Sequence, residues 1–366
     1  MHFTQLQLKQ FRNYPELHLQ FHTGTTVLYG ANGSGKTNIL EALHLLCLGR
    51  SHRTTNDREM ISITAENAFI FGETARKDGK HTIRIQLHQK QNKQVLLYGK
   101  PIRRMGDLMG HATSVLFSPE DLRIVKDGPS GRRRFLDMQL SQMMPAYFLK
   151  LKHYLQLLAC RNALLKKHKL EGVPHFLDQL ITWDEQLAAA AEPLIITRAT
   201  FIEKLSACAK QQYSFISGNL ENFSLKYINR LVENPYTLML EGLTKSRQTD
   251  ISRMFTSVGP HRDDIALFLN DKELRVFGSQ GQMRTAMLSL KLAEIMLIQE
   301  EMGELPTLLL DDVFSELDIN RRKRLLDCIQ NCQTIITCTD ESDVAGARAD
   351  MFWKVSVNEQ GEGQVC

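Results

Sequence analysis

Gly30-Ala31-Asn32-Gly33-Ser34-Gly35-Lys36-Thr37 carries the most specific chemistry in this sequence. The run fits G-x-x-x-x-G-K-[ST], in which backbone N–H groups cradle phosphate oxygens, the lysine reaches the β and γ phosphates, and the hydroxyl holds Mg2+. Its glycines let the backbone turn and approach an anion with no Cβ in the way. A second set closes the apolar run Thr307-Leu308-Leu309-Leu310. There Asp311 offers a carboxylate for the Mg2+ that Thr37 would share, and Asp312 is suited to orient or deprotonate an attacking water. Alone, an acidic pair after apolar residues is common; coupled to Lys36 and Thr37 it points to nucleoside triphosphate hydrolysis. A third set, Ser279-Gln280-Gly281-Gln282, opens a helical pattern, so Ser279 and Gly281 form a second anion site at a helix N-terminus. One nucleotide has no need of two such sites from one chain, which suggests that they belong to two copies. Arg12 lies near the glycine loop in sequence and either reaches a nucleotide or is an ordinary surface arginine.

Each set needs a platform. Thr26-Val27-Leu28-Tyr29 reads as a strand feeding the glycine loop, and from Asn38 onward Leu40, Leu43, Leu46 and Cys47 give a helix an apolar face. That helix adds the positive end of its dipole to the same phosphates. The apolar run before Asp311 and the run Thr334-Ile335-Ile336-Thr337-Cys338-Thr339, joined by a helix over about 319–328, are the pattern of a parallel sheet covered on both faces. Ligands bind at the strand ends of such sheets. Alternating patterns over 2–9, 16–21 and 68–97 read as antiparallel strands and a meander. Val115-Leu116-Phe117 reads as a buried strand running out into the polar turn that contains Glu120. From about Arg123 helical periodicity takes over, broken at Gly172-Val173-Pro174, up to about Phe215. Strand patterns at 223–227 and 265–269 and a helix over 283–302 follow. The expected architecture is α/β: a discontinuous P-loop domain, 1–122 and 256–366, with an antiparallel β subdomain, and a helical insertion over 123–255.

The chain has 366 residues, 43% of them hydrophobic, enough for a full core and two domains. No stretch of about 18 apolar residues occurs, and the first residues lack the features of a signal peptide, so a cytoplasmic protein with no membrane partner is expected. Seven cysteines without a C-x-x-C pair read as reduced core thiols. A net charge of +4 argues little about nucleic acid; the placement of charge argues more. Arg132-Arg133-Arg134 can contact successive phosphates, with Arg161, Lys166, Lys167 and Lys169 further along. With no aromatic residues interleaved, such contacts would bind single- or double-stranded DNA without sequence specificity. The same residues also suit a solvated helix face, or pairing with acids across a dimer.

Several motifs stand in a telling order: Phe11-Arg12-Asn13-Tyr14, the 30–38 stretch, Pro119-Glu120-Asp121 through Asp127-Gly128-Pro129 to Arg132-Arg133-Arg134-Phe135-Leu136-Asp137, and Gly259-Pro260-His261-Arg262-Asp263-Asp264. Gly278-Ser279-Gln280-Gly281-Gln282, Leu308-Leu309-Leu310-Asp311-Asp312 and Ser315-Glu316-Leu317-Asp318 complete it. This order resembles the ABC-type ATPase head shared with SMC proteins and, within that group, the RecF family of bacterial DNA repair ATPases. The resemblance implies a P-loop head that binds ATP and Mg2+ and hydrolyses ATP weakly and in a DNA-dependent way. It also implies a head-to-tail homodimer when ATP is bound, each nucleotide lying between one copy's 30–37 loop and the other's Ser279 segment. By the same resemblance Lys36, Asp312, Ser279 and Glu120 act in catalysis, and Gly30, Ala31, Asn32, Gly33, Ser34, Gly35, Lys36, Thr37, Arg12 and Gly281 bind the nucleotide. Thr37 and Asp311 take the metal. Work at gapped or single-stranded DNA in recombinational repair and replication restart is implied too, with RecR and RecO as partners in loading RecA. Three positions depart from the wider ABC pattern. Asp312 replaces a glutamate, Cys338-Thr339-Asp340 stands where a switch histidine is usual, and Glu120 occupies a glutamine's place. The shorter Asp312 implies slow hydrolysis, and Thr339 or Asp340 is left to sense the γ-phosphate. The alternative, the nucleotide-binding subunit of an ABC transporter, is disfavoured by the missing Leu-Ser-Gly-Gly-Gln and switch histidine; a small-molecule kinase has no need of the Ser279 segment.

Overall fold

In the computed structural model, which describes residues 1–218, 221–329, 331–344 and 349–366, packing separates 1–122 with 288–366 from 123–287. From the N-terminus, β1 (His2–Phe11) and β2 (Tyr14–Gln20) form a hairpin and β3 (Thr25–Tyr29) leads into the glycine loop and α1 (Lys36–Leu48). β4 (Asn67–Arg76), β5 (Gly79–His88), β6 (Gln94–Leu97), β7 (Lys100–Pro101) and β8 (Ser114–Phe117) follow. α2 (Leu122–Lys126) opens the second unit, where α3 (Pro129–Met143), α4 (Pro145–Glu171), α5 (Phe176–Ser217), β9 (Phe223–Ile228), α6 (Pro235–Arg253), β10 (Asp264–Leu269), β11 (Lys272–Glu273) and α7 (Leu274–Phe277) come in order. α8 (Gln280–Met302) carries the chain back to β12 (Thr307–Asp311), α9 (Ile319–Ile329), β13 (Thr334–Cys338), β14 (Met351–Val357) and β15 (Gly363–Val365).

Among the described residues the first unit holds two six-stranded sheets, ordered β2-β1-β4-β5-β6-β7 and β15-β14-β3-β13-β12-β8. The first is antiparallel throughout, as the alternating sequence pattern requires. In the second, β14, β3, β13, β12 and β8 run parallel and only β15 is antiparallel. Every residue of β12 and β13 is buried, which is what uniformly apolar strands covered on both faces achieve. α1 packs on β4 and β5 of one sheet and on β8, β12 and β13 of the other, so it is buried from Ile39 to Leu48 on all sides rather than along one stripe. Gln333 stitches the two sheets: its amide nitrogen donates to Phe3 O and His22 O, and its oxygen accepts from the Phe3 N–H and the Thr307 hydroxyl.

The second unit is mostly helical, with a small sheet ordered β11-β10-β9. Residues 256–287, assigned above to the P-loop domain, fall in this unit. The reason is register: β10 pairs with β9 from Asp264 opposite Ile228 to Leu269 opposite Phe223. Its polar core is ionic. Arg161, fully buried, bridges Asp184 at 2.7 Å and Asp250 at 2.9 Å. Arg198 bridges Asp137 at 2.7 Å and Asp263 at 3.0 Å, and also donates to Pro260 O. The Gly259-to-Asp264 motif is thus a folding hub: Asp263 also accepts from the Tyr227 hydroxyl and the Asn229 amide, and Asp264 takes Arg132.

Candidate functional site

The glycine loop leaves the C-terminal end of β3 and is fixed on three sides by its own unit. Gly30 donates its N–H to Cys338 O at 3.3 Å. It has φ +150°, and a Cβ there would lie inside the carbonyl oxygen of Val355 on β14. Gly35, with φ +109°, caps α1, and a side chain would collide with the Asn13 amide and the Tyr14 hydroxyl. Asn13 in turn donates to Ser34 O at 3.1 Å and accepts from the Asn38 amide at 2.8 Å. Ala31, Asn32 and Gly33 form the exposed lip, whereas Ser34 is buried. Behind the lip, the first turn of α1 presents N–H groups that have no intrahelical partner, which with the dipole make an anion site.

Lys36 is 8% exposed and turned into the loop, its Nζ donating to Gly30 O at 2.6 Å and Ala31 O at 2.9 Å. Burial lowers its pKa, while the charges of Asp312 and Asp311 push the other way. Thr37 Oγ1 donates to Asp311 Oδ1 at 2.8 Å. Asp311 is 8% exposed and makes no salt bridge among the described residues. Burial raises its pKa, opposed by hydrogen bonds from the Thr37 and Thr337 hydroxyls. Arg53 and Lys36 act on Asp311 only through their charges; a buried carboxylate beside two hydroxyls, with no salt-bridged cation among the described residues, is an all-oxygen donor set that a further positive charge would suit. That fits Mg2+, which takes one or two carboxylates together with substrate phosphates. Asp312 follows in the left-handed region at φ 51°, ψ 26°. Glu120 lies exposed just past β8, whose last residue, Phe117, is opposite Leu310 of β12, so it shares the strand-end edge with Asp311.

Other expected residues sit differently. Arg12 faces α1: its Nε and Nη2 grip Glu41 at 2.9 and 2.7 Å, and Nη1 donates to Glu59 O. Glu41 is fully buried. Burial alone would raise its pKa, but hydrogen bonds from Arg12 and Ser51 and the charges of Arg12 and Arg53 hold it below the ordinary carboxylate value. The arginine triplet is corrected. Arg132 is 3% exposed and bound through two nitrogens to Asp264 at 2.6 and 2.9 Å, and Arg133 donates to Asp263 O, which leaves Arg134 as the exposed member. Arg161 is buried as well. Ser279, in the second unit, is exposed at the start of α8, its hydroxyl accepting from the Gln282 N–H at 3.2 Å while the Gln282 side chain accepts from the Ser279 N–H at 2.8 Å. Gly281 lies in the first turn of that helix. Thr339 and Asp340 are exposed beyond β13.

Sequence reasoning missed Asn13, Glu41 and Thr337. Glu41 did leave a signal, since a lone acid within an otherwise apolar helix implies a buried partner; Thr337, a threonine in an apolar strand, left none.

The chain matches the family model of the RecF/RecN/SMC N terminal domain over residues 2–364. It is 44% identical to the DNA replication and repair protein RecF of Ruminiclostridium cellulolyticum, covering 96% of this chain and 97% of that one. It is 40% identical to that of Acetivibrio thermocellus, covering 93% and 94%. Among solved structures, that of the recombination mediator protein RecF-ATP in the RecFOR pathway superposes with TM-score 0.92 at 36% identity, covering all of this chain and 97% of the other. An Smc head domain from Pyrococcus yayanosii, at 15% identity and TM-score 0.60, covering all of this chain and 96% of that one, shares the fold alone.

Proposed function

Since the chain belongs to the RecF family, within the RecF/RecN/SMC group of ATPases, we propose that it is an ATP-switched, DNA-binding protein of bacterial recombinational repair and replication restart. The transporter alternative gives way to that membership. The observation that carries the ATP reading is the convergence of Lys36 and Thr37 from the start of helix α1 with Asp311 from the end of strand β12, with Thr37 and Asp311 in contact at 2.8 Å. The 30–37 loop and the first turn of α1 bind the phosphates, and Lys36 exchanges its bonds to Gly30 and Ala31 for β- and γ-phosphate oxygens. Thr37 and Asp311 hold the cation, which when bound neutralises charge on the phosphate oxygens. Asp312 accepts the proton of the water that adds to the γ-phosphorus as the bond to the β-phosphate oxygen breaks, giving ADP and phosphate; Glu120 orients that water. With a reach one methylene short of glutamate, Asp312 makes this step slow, which suits a switch whose bound state must last.

The second copy brings its Ser279 hydroxyl and the N-terminus of its α8, Gly281 included, to the γ-phosphate. Ser279 is exposed, and Val276 and Phe277, 59% and 69% exposed, precede it, an apolar pair that a partner would cover. DNA is bound through its backbone, single- or double-stranded and without sequence preference, at gaps, with RecR and RecO as partners toward RecA loading; family membership and the RecFOR relative support this assignment. Gel filtration with and without ATP tests the shared pocket. Wild type is expected to shift to a dimer with ATP, whereas Lys36→Ala and Ser279→Ala each stay monomeric; a Ser279→Ala protein that dimerises like wild type refutes it.

A further inference from the structure

Thr337 lies on β13 opposite Leu28 of β3 on one side and Asp311 of β12 on the other, with its side chain buried. A threonine hydroxyl has one proton and two lone pairs. Here Oγ1 accepts the Asp312 N–H at 3.0 Å and donates to Asp311 Oδ1 at 2.9 Å; the other acceptor in range, Leu310 O, is at 3.5 Å and competes poorly. The next carbonyl on the strand, that of Cys338, takes the Gly30 N–H. Asp312 turns in the left-handed region, which aspartate enters more readily than most residues. One hydroxyl therefore orients the carboxylate beside Thr37 and pins the backbone turn that carries Asp312, while its neighbour anchors the phosphate loop.

We propose that Thr337 is a positioning residue that sets Asp311 and the Asp312 turn together, tuning cation affinity and hydrolysis from the adjacent strand. This rests on the reading that Thr37 and Asp311 hold Mg2+. Its test uses the full chain with saturating ADP and Mn2+ as the probe, titrated by electron paramagnetic resonance, alongside ADP binding in EDTA. Thr337→Val keeps the shape and deletes the hydroxyl. Its Mn2+ affinity is expected to fall about 10-fold or more, the usual loss when a metal ligand is deprived of its hydrogen-bond partner, with ADP binding in EDTA unchanged. Thr337→Ser is expected to restore wild-type Mn2+ affinity. Wild-type affinity in Thr337→Val, or a Thr337→Ser protein as weak as Thr337→Val, overturns the proposal. Should Thr337→Val not fold, Thr337→Cys, with a weaker donor, must still bind Mn2+ less tightly than wild type. Asp311→Asn separates the premise: if it keeps wild-type Mn2+ affinity, the metal reading itself is wrong.

Discussion

Arg132, Arg161 and Arg198 show how little a run of cations reveals at the level of single residues. Adjacent positions on a helix are rotated by about 100°, so Arg132, Arg133 and Arg134 on α3 cannot face one strand of DNA together. Arg132 turns inward to Asp264. Asp264 is a quarter exposed, so losing Arg132 leaves a partly solvated charge and costs about 1–3 kcal/mol. Arg132→Ala is therefore expected to lower the thermal unfolding midpoint by several degrees, roughly 5 °C, read by circular dichroism, and Arg134→Ala to move it far less. Equal, small shifts would show that the Asp264 pairing contributes little. The meeting of Thr37 with Asp311 was legible because the chemistry proposed for them demands a fixed spacing. The pairing of Arg12 with Glu41 was not, because folding brings Glu41 to it.

Among the elements, β3, α1, β12, β13 and α8 were legible from apolar runs and helical periodicity. β14 and β15 were not. β15 is three residues long, and although Trp353-Lys354-Val355-Ser356-Val357 of β14 alternates apolar and polar residues, that local pattern does not reveal its parallel pairing with β3 from the opposite end of the sequence. Yet β14 shapes the site, since its Val355 carbonyl closes on Gly30. Gly30→Ala must displace strand backbone rather than a flexible side chain, and is expected to abolish binding of a fluorescent ATP analogue. Gly33→Ala meets no protein atom within 4 Å; it bears the strain of a left-handed residue, about 1–2 kcal/mol, and is expected to weaken binding without abolishing it. Equal losses in the two variants would show that close packing on β14 is not what constrains the loop.

At the scale of the whole molecule, both units contain a histidine kept neutral by burial. His52 in the first and His261 in the second are each lowered to about 4. His261 donates from Nε2 to Thr256 O at 3.0 Å, so Nδ1 accepts the Tyr154 hydroxyl at 2.6 Å and has no room for a proton. Between about pH 4 and 6.5 the unfolded chain binds more protons than the folded one. Stability from these groups is complete above pH 6.5 and lost as pH falls toward 4, about 2 kcal/mol each by pH 5. Wild type is expected to lose more stability between pH 7 and 5 in urea titrations than a His52→Asn, His261→Asn double variant; equal losses would assign the acid limb to other groups. The division at 287 rather than 255 was illegible for a similar long-range reason, because the β9–β10 register and the bonds of Arg132 and Arg198 to Asp264 and Asp263 tie 256–287 to the second unit.

The central place of β3 carries a consequence for biogenesis. Its two neighbours in the sheet, β13 and β14, are translated some three hundred residues after it. As the ribosome extends the polypeptide, the nucleotide cradle emerges early but has no floor until those last strands exist. A nascent product that stops short of β13 therefore lacks the strands on either side of β3, and the cradle gains its floor only once β13 and β14 have been made.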